Sequence, residues 1–140
     1  MKTLLAILAV FFAQPVEAVK YSKKDVNCMA HAVYHEARGE PEIGKHAVAH
    51  VVLNRKQSGL FRPTICQVVY QEHQFTNIKL TKPKYSSKAW MDAVQVSTLT
   101  LSGISKDPTH GARYFYAHKV VRPSWSESKA KIKLGNHSFL

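Results

Sequence analysis

The residues best suited to chemistry stand in one stretch, Tyr34-His35-Glu36-Ala37-Arg38-Gly39-Glu40-Pro41. A carboxyl group kept partly from water has a raised pKa and can donate a proton near neutral pH. The spacing places Glu36 at the edge of a helix's apolar stripe. It also lies in the last turn, where the helix dipole is negative and disfavours the carboxylate. We therefore predict that Glu36 is a catalytic acid; a solvated glutamate at a helix edge is the alternative.

An amphipathic helix must position Glu36. Ser22-Lys23-Lys24-Asp25 has the form of a capping box that opens this helix. Gly39 and Pro41 end it, because glycine suits a C-cap and proline cannot continue the hydrogen-bond ladder. At 3.6 residues per turn, five apolar residues share the face that must be buried: Val26, Met29, Ala30, Val33 and Ala37.

A second helix is predicted from about Glu42 to Gln57, ending before Gly59. Apolar residues cover most of its circumference, which predicts a central, buried helix. Asn54 and Arg55 enter a crowded place at its end. Hydrogen bonding that fixes the Glu36 loop is one use for them, and C-terminal capping is the alternative for Arg55.

For the rest of the chain, the sequence predicts two more helices, followed by short extended segments. Thr64 caps a helix from Ile65 to about Tyr70, and Ser86 or Ser87 caps a third long helix through about Ser102. Residues 71–85 form a polar loop, 113–117 a short strand, 129–134 a helix or strand, and 135–139 a turn with an extended end. The architecture is α+β, mainly helical, with one small hairpin.

Aromatic residues in these later segments could contact a sugar. Gln74-Phe75-Thr76 has the composition of a sugar-binding rim, with an aromatic ring between polar side chains. Aromatic side chains at such positions are core residues in the alternative interpretation. The candidate sugar platforms are Phe75, Tyr114, Tyr116 and Trp125.

The first 18 residues have the features of a secretory signal peptide. Lys2 precedes an apolar run from Leu4 to Phe12, and Val16-Glu17-Ala18 is a small-x-small cleavage signal. We predict cleavage after Ala18, leaving one domain over residues 19–140 that is periplasmic or extracellular. An uncleaved membrane anchor is the alternative.

The chain is strongly basic, with a formal net charge of +11. Such a protein attracts polyanions. Because the chain is predicted to be exported, we expect anionic envelope polymers and not nucleic acid. The basic residues are spread along the sequence, which favours a general attraction over one groove. We expect a monomer.

The two cysteines predict a disulfide. An even count in an exported chain suggests pairing, and Cys28 falls on the polar side of its helix. We predict a Cys28–Cys66 bridge; two independent thiols are the alternative.

Two histidine pairs, His31 with His35 and His46 with His50, have the i,i+4 spacing that a metal can bridge. A zinc hydrolase is therefore one hypothesis. However, the H-E-x-x-H arrangement is absent, and the first pair projects from the polar face, away from Glu36. We expect solvated or interhelical histidines, with neither metal nor cofactor.

Taken together, these motifs resemble the SleB/CwlJ-type cell wall hydrolases. The resemblance covers nearly all of residues 19–140, in order, and its most specific block is Tyr34-x-Glu36-Ala37-Arg38-Gly39-Glu40-Pro41. The other matching segments are Cys28, Gly44, Ala47-Val48-Ala49, Val52-Leu53-Asn54-Arg55, Thr64-Ile65-Cys66, Val68-Val69-Tyr70, Gln74-Phe75, Pro123-x-Trp125 and Gly135-Asn136-His137-x-Phe139.

This resemblance implies a compact lysozyme-like domain that cleaves peptidoglycan glycan strands, with Glu36 as the acid. It implies a lytic transglycosylase of the kind found in bacteria or phages, giving 1,6-anhydro products. A hydrolytic muramidase with Glu40 as second carboxylate is the alternative, and Glu40 could instead orient its loop. The substrate-binding candidates are Asn54, Gln74, Phe75, Tyr114, Trp125 and His137.

The chain departs from the family at two places. It has Tyr116, with His118 two residues on, where many members carry a histidine, and it ends in Leu140 in place of an aromatic residue. A non-enzymatic alternative also stays open, namely a basic envelope-binding or permeabilising protein.

Overall fold

The computed structural model of the chain describes residues 20–71, 75 and 81–140. Its first helix, α1, spans Lys23–Ala37 and begins with the predicted capping box. The Ser22 hydroxyl accepts a hydrogen bond from the Asp25 backbone N–H at 3.2 Å, and the Asp25 carboxylate accepts one from the Ser22 N–H at 2.9 Å. This reciprocal pairing satisfies two donors that a helix start leaves open. The predicted stripe is buried apart from Val26, which is partly buried.

The second helix, α2, spans Glu42–Ser58 and is central, as predicted. It ends one residue later than expected, at Gly59, whose φ of 72° is the left-handed conformation that favours glycine at a helix end. Six of its apolar residues are almost fully enclosed and form the middle of the core: Ala47, Val48, Ala49, Val51, Val52 and Leu53.

A short helix, α3, spans Ile65–Tyr70 and covers one side of α1. Cys66 on α3 forms the predicted disulfide with Cys28, with 5.1 Å between the Cα atoms. Cys28 lies outside the apolar stripe of α1, as the sequence indicated, yet it is only 6% exposed. The packing of α3 gives α1 a second buried face that a single apolar stripe does not reveal.

The fourth helix, α4, spans Lys88–Leu101 and packs against both α1 and α2. Ser87 is its N-cap, accepting a hydrogen bond from the Trp90 backbone N–H at 3.2 Å. Trp90 is 7% exposed and lies against α1. No helix among the described residues is long and apolar enough to cross a membrane.

Three short strands complete the fold: β1 (Phe115–Ala117), β2 (Ile132–Leu134) and β3 (His137–Phe139). They form an antiparallel sheet in the order β1-β3-β2, with Ser138 of β3 opposite both Tyr116 and Lys133. The sequence allowed either a helix or a strand for residues 129–134, and the structure forms strand β2 there. The expected single hairpin was incomplete, because β1 adds to the other edge of β3. The predicted α+β, mainly helical architecture is confirmed.

Candidate active site

Glu36 lies in the last turn of α1, one residue before the helix ends, and it is half-buried. The next residue, Ala37, is fully buried, while Arg38 and Gly39 are exposed. The carboxyl group thus stands at the border between core and solvent. A group placed there can reach a substrate and still feel the low polarity of the interior.

A cation from α2, Arg55, interacts electrostatically with Glu36. Arg55 is buried, at 4% exposure, and its Nε donates a hydrogen bond to the Arg113 carbonyl at 2.6 Å. Burial lowers the pKa of Arg55 to about 10, while Tyr114 and Glu36 act electrostatically in the opposite direction. The interpretation of Arg55 as a cap of its own helix was wrong, because the side chain bonds a distant segment.

Three aromatic rings enclose the Arg55 guanidinium. Its Cζ lies 5.0, 5.1 and 5.6 Å from the ring centroids of Phe61, Phe75 and Tyr114, respectively. Contacts of this kind stabilise a partly desolvated cation. Among the described residues, Nη1 of Arg55 is buried and has no hydrogen-bond partner. In the sequence, Arg55 stands out because it is a polar residue at the end of an apolar helix. Nothing in the sequence indicates that it lies near Glu36.

Glu40 points toward the turn between β2 and β3. Its Oε2 accepts the Asn136 backbone N–H at 2.8 Å, and its Oε1 accepts the Asn136 side-chain amide at 3.1 Å. Gly135 lies so close that a Cβ added there would nearly overlap Oε2. The side chain is 8% exposed. The structure therefore places Glu40 as an anchor between the end of α1 and the sheet.

Asn54 fixes the segment that leads into β1. Its amide nitrogen donates to the Asp107 carboxylate and to the Ala112 carbonyl, both at 2.9 Å. Asp107 also accepts hydrogen bonds from Thr109 and Gly111. Burial would raise the pKa of Asp107, but these hydrogen bonds hold it below its usual value. The amide nitrogen of Asn54 is thus engaged within the protein, in a segment next to the one that Arg55 holds.

The remaining substrate-binding candidates separate into exposed and buried groups. Tyr114 and Trp125 are 37% and 49% exposed, with ring centroids 5.8 Å apart. Phe75 is only 8% exposed, so its ring supports Arg55 and does not form the expected rim. His137 is equally buried; desolvation lowers its pKa, and its Nδ1 lies 3.7 Å from Glu40 Oε1. Gln74 lies outside the described residues.

The histidine pairs serve packing and hydrogen bonding. The Ser105 hydroxyl lies 2.8 Å from His46 Nδ1 and 3.1 Å from His50 Nε2, which joins α2 to the segment after α4. His31 and His35 lie on the face of α1 expected to be polar, but both are half-buried, and His31 packs edge-on to Trp90. The described residues contain no group of three or more His, Cys, Asp or Glu placed to hold a metal ion.

Comparison with known proteins gives consistent matches. Residues 39–140 match the family described as Cell Wall Hydrolase, a match that begins just after Glu36. The chain is 36% identical over 125 residues to a spore cortex-lytic enzyme of Bacillus cereus, covering 85% of this chain and 45% of that protein. For the spore cortex-lytic enzyme of Bacillus subtilis strain 168 the identity is 31%, and 38% of that protein is covered. The chain thus spans less than half the length of these curated relatives.

Two solved structures share the fold. The catalytic domain of the Bacillus cereus SleB protein superposes with a TM-score of 0.71 and 34% identity, covering 86% of this chain and 92% of that one. The catalytic domain of the germination-specific lytic transglycosylase SleB from Bacillus anthracis gives a TM-score of 0.69 at 34% identity, covering 85% and 95%. The similarity therefore includes nearly the whole of both catalytic domains.

Proposed function

This chain belongs to the cell wall hydrolase family, and we propose that it cleaves peptidoglycan glycan strands outside the cytoplasm as a lytic transglycosylase. The likeness to SleB catalytic domains supports this activity. The observation that carries the residue assignment is a half-buried glutamate, Glu36, coupled electrostatically to a buried arginine, Arg55. Glu36 belongs to the block from Tyr34 to Pro41, the most specific part of the family resemblance, and the proposal gives this block a chemical role.

In the proposed reaction Glu36 acts twice. As a general acid it protonates the glycosidic oxygen between N-acetylmuramic acid and N-acetylglucosamine, and the C1–O bond breaks. As a base, its carboxylate then accepts the proton of the muramoyl 6-hydroxyl while O6 bonds to C1. The proton returns to Glu36, a 1,6-anhydro ring forms, and no water is consumed.

Arg55 suits the state between these two steps. After proton donation Glu36 carries a negative charge, and a fixed positive charge nearby stabilises it without reorganisation. The guanidinium is held by the Arg113 carbonyl and the surrounding rings, so its position does not depend on the substrate. It acts through Glu36 and is a positioning residue.

The hydrolytic alternative requires a second carboxylate beside the scissile bond. Glu40 was the candidate, but both of its oxygens accept hydrogen bonds from Asn136. Its environment supports the loop-orienting role instead. A transglycosylase needs only one carboxyl group, so the arrangement favours this mechanism.

We also propose roles for the other candidates. Tyr114 and Trp125 offer exposed rings to the glycan, whereas Asn54 and His137 support the segments around it. Action on the wall requires export, for which the first 18 residues remain the predicted signal peptide. The chain is proposed to work as a monomer without a cofactor. A permeabilising protein is disfavoured by the family relationship.

The test compares Glu36→Gln with Glu42→Gln, a matched change at a carboxylate 65% exposed on the first turn of α2. On purified peptidoglycan, Glu36→Gln should lose roughly a hundredfold or more of the rate, while Glu42→Gln keeps it. Circular dichroism checks that both fold. A fully active Glu36→Gln protein would end the assignment.

Product mass decides the mechanism. Muropeptides from a transglycosylase end in an anhydro sugar, one water lighter than the product of a hydrolase. If the products have the heavier mass, the protein is a hydrolytic muramidase and not a transglycosylase. A wild-type protein that releases no soluble muropeptide would favour the permeabilising alternative.

A further inference from the structure

An exposed cluster of two rings and one lysine extends outward from the Arg55 region; we call Tyr114, Trp125 and Lys129 the ring–lysine patch. The Lys129 ammonium lies 5.3 Å from the Tyr114 ring centroid and 5.7 Å from that of Trp125. Trp125 is 49% exposed, and Lys129 is exposed as well. Exposed aromatic groups gathered in this way mark sites where ligands bind.

The patch is held in place by hydrogen bonds of the residues around it. The Ser126 side chain, in a residue 2% exposed, donates to the Pro123 carbonyl at 2.7 Å and so fixes the turn that carries Trp125. The Tyr116 ring lies 6.2 Å from that of Trp125. A hydrogen bond with Ser126 is the largest influence on the pKa of Tyr116 and lowers it; burial opposes this, and a hydrogen bond with Ser138 adds to the lowering. The tryptophan therefore rests on an ordered support.

The charge of the patch is positive. In the part of the chain that the structure describes, Lys129 forms no ion pair. Lys131 and Lys133 both act electrostatically on Tyr116, so both charges lie near its ring. The Lys131 ammonium donates to the Lys129 carbonyl at 2.9 Å, which orders this segment. Such a surface attracts an anionic group next to an apolar ring face.

The patch is also continuous with the proposed active site. The Tyr114 ring contacts Lys129 and Trp125 on the exposed side and the Arg55 guanidinium on the inner side, 5.6 Å from Cζ. Arg55 in turn interacts with Glu36. A glycan strand cleaved at Glu36 would therefore pass the patch with a neighbouring sugar.

We propose that the ring–lysine patch binds a peptide-substituted muramic acid unit, with the sugar on Trp125 and a stem-peptide carboxylate on Lys129. This inference rests on the proposed function and names its substrate more closely. The substrate class is then glycan that still carries its acidic peptides. The aromatic ring supplies contact with any sugar, and the ammonium supplies the preference for the peptide.

The test uses two substrates: glycan strands with their stem peptides, and the same strands after an amidase has removed them. Lys129→Met keeps most of the apolar stem and removes the charge. It should raise KM on peptide-bearing strands about two- to fivefold, the scale of one exposed ion pair, with kcat unchanged. KM on stripped strands should stay the same, and Lys129→Arg should restore the wild-type value.

Two further variants complete the design. Trp125→Ala should raise KM on both substrates, because it removes the surface for the sugar itself. Lys23→Met is the matched control, since Lys23 opens α1 roughly 20 Å along the helix from Glu36. It should leave both values unchanged.

Three results would overturn the proposal. Equal effects of Lys129→Met on both substrates would show general attraction only, and no effect on either would remove Lys129 from binding. The amidase leaves a lactyl carboxylate on the sugar, so a larger defect on stripped strands would assign Lys129 to that acid instead. A wild-type protein that cleaves neither substrate would refute the proposed function itself, a distinct outcome.

Discussion

Replacing Glu40 with glutamine separates an anchoring carboxylate from a catalytic one. Both donors of Asn136, the backbone N–H and the side-chain amide, point at the Glu40 oxygens. Glutamine offers one oxygen and one NH₂ group, so in either orientation one Asn136 donor meets another donor. The hydrogen bond that remains is made to a neutral amide oxygen and no longer to a charged carboxylate. The side chain is 8% exposed, so water cannot readily take over.

The expected cost follows from these contacts. Hydrogen bonds to charged groups contribute about 1.5–3 kcal/mol each, and the substitution removes one and weakens the other. We expect a loss of about 2 kcal/mol in the free energy of unfolding. For a domain of this size that corresponds to a fall in Tm of roughly 6–10 °C. Below the transition, the rate on peptidoglycan should stay within about tenfold of wild type, far from the loss expected for a general acid.

A double-mutant cycle with Asn136→Ala isolates the contact. Without the Asn136 side chain, the introduced glutamine can turn its oxygen to the remaining backbone N–H, so Glu40→Gln should cost at least about 1 kcal/mol less. Gly135→Ala approaches the same contact from the other side, since the new Cβ would collide with Oε2 at a φ of 58°. Its loss of stability should accompany a displaced Glu40.

The decisive measurements are thermal unfolding and the rate of muropeptide release. A Glu40→Gln protein with unchanged Tm and a rate lowered more than a hundredfold would refute the anchoring role and revive the second-carboxylate mechanism. Additive costs in the cycle would show that Glu40 and Asn136 do not act through each other.

Two further predictions concern pH. Arg55→Met removes the positive charge that favours the anionic form of Glu36, so the alkaline limb of the kcat/KM profile should move to a higher pH by roughly one unit. Arg55→Lys keeps the charge and should leave the limb in place. Equal shifts in both variants would contradict this reasoning. Burial, chiefly, lowers the pKa of His50, with Asp107 opposing and His46 adding to the shift. The unfolded chain therefore binds the His50 proton more readily than the folded protein, so stability is full above about pH 6.5 and falls as the pH drops below that value. The fall in Tm between pH 7.5 and 5.0 should be smaller in His50→Gln than in wild type. An equal fall in both proteins would refute the assignment.

Local rules in the sequence predicted most helix starts and ends, although α1 ends with Arg38 in the right-handed conformation and not with the expected glycine cap at Gly39. Each helix start or end with a cap is set by atoms within four residues, such as the Ser22–Asp25 box and the glycine at position 59. These interactions do not depend on the rest of the fold, so their residue types are sufficient. The same holds for the start of α3 at Thr64, where the side chain accepts the Gln67 N–H.

Contacts between distant segments could not be predicted in this way. Glu40 and Asn136 are 96 residues apart, and nothing in either local pattern indicates the other. The second buried face of α1 depends on where α3 packs, so the low exposure of Cys28 does not follow from the helix pattern alone. Phe75 has the neighbours of a rim residue in sequence but is enclosed by Arg55 and Phe115.

The end of α2 shows why the site needs this many distant contacts. The adjacent residues Asn54 and Arg55 bind the adjacent carbonyls of Ala112 and Arg113. The following residue, Tyr114, exchanges backbone hydrogen bonds with the last residue of the chain, just beyond β3. The turn before β3 is in turn held by Glu40, four residues after Glu36. The protein thus closes a ring of contacts from the end of α1, through the sheet, to the end of α2 and back. Within such a ring the Glu36 carboxyl and the Arg55 charge keep a fixed relation, which the proposed role of Glu36 as acid and then base requires.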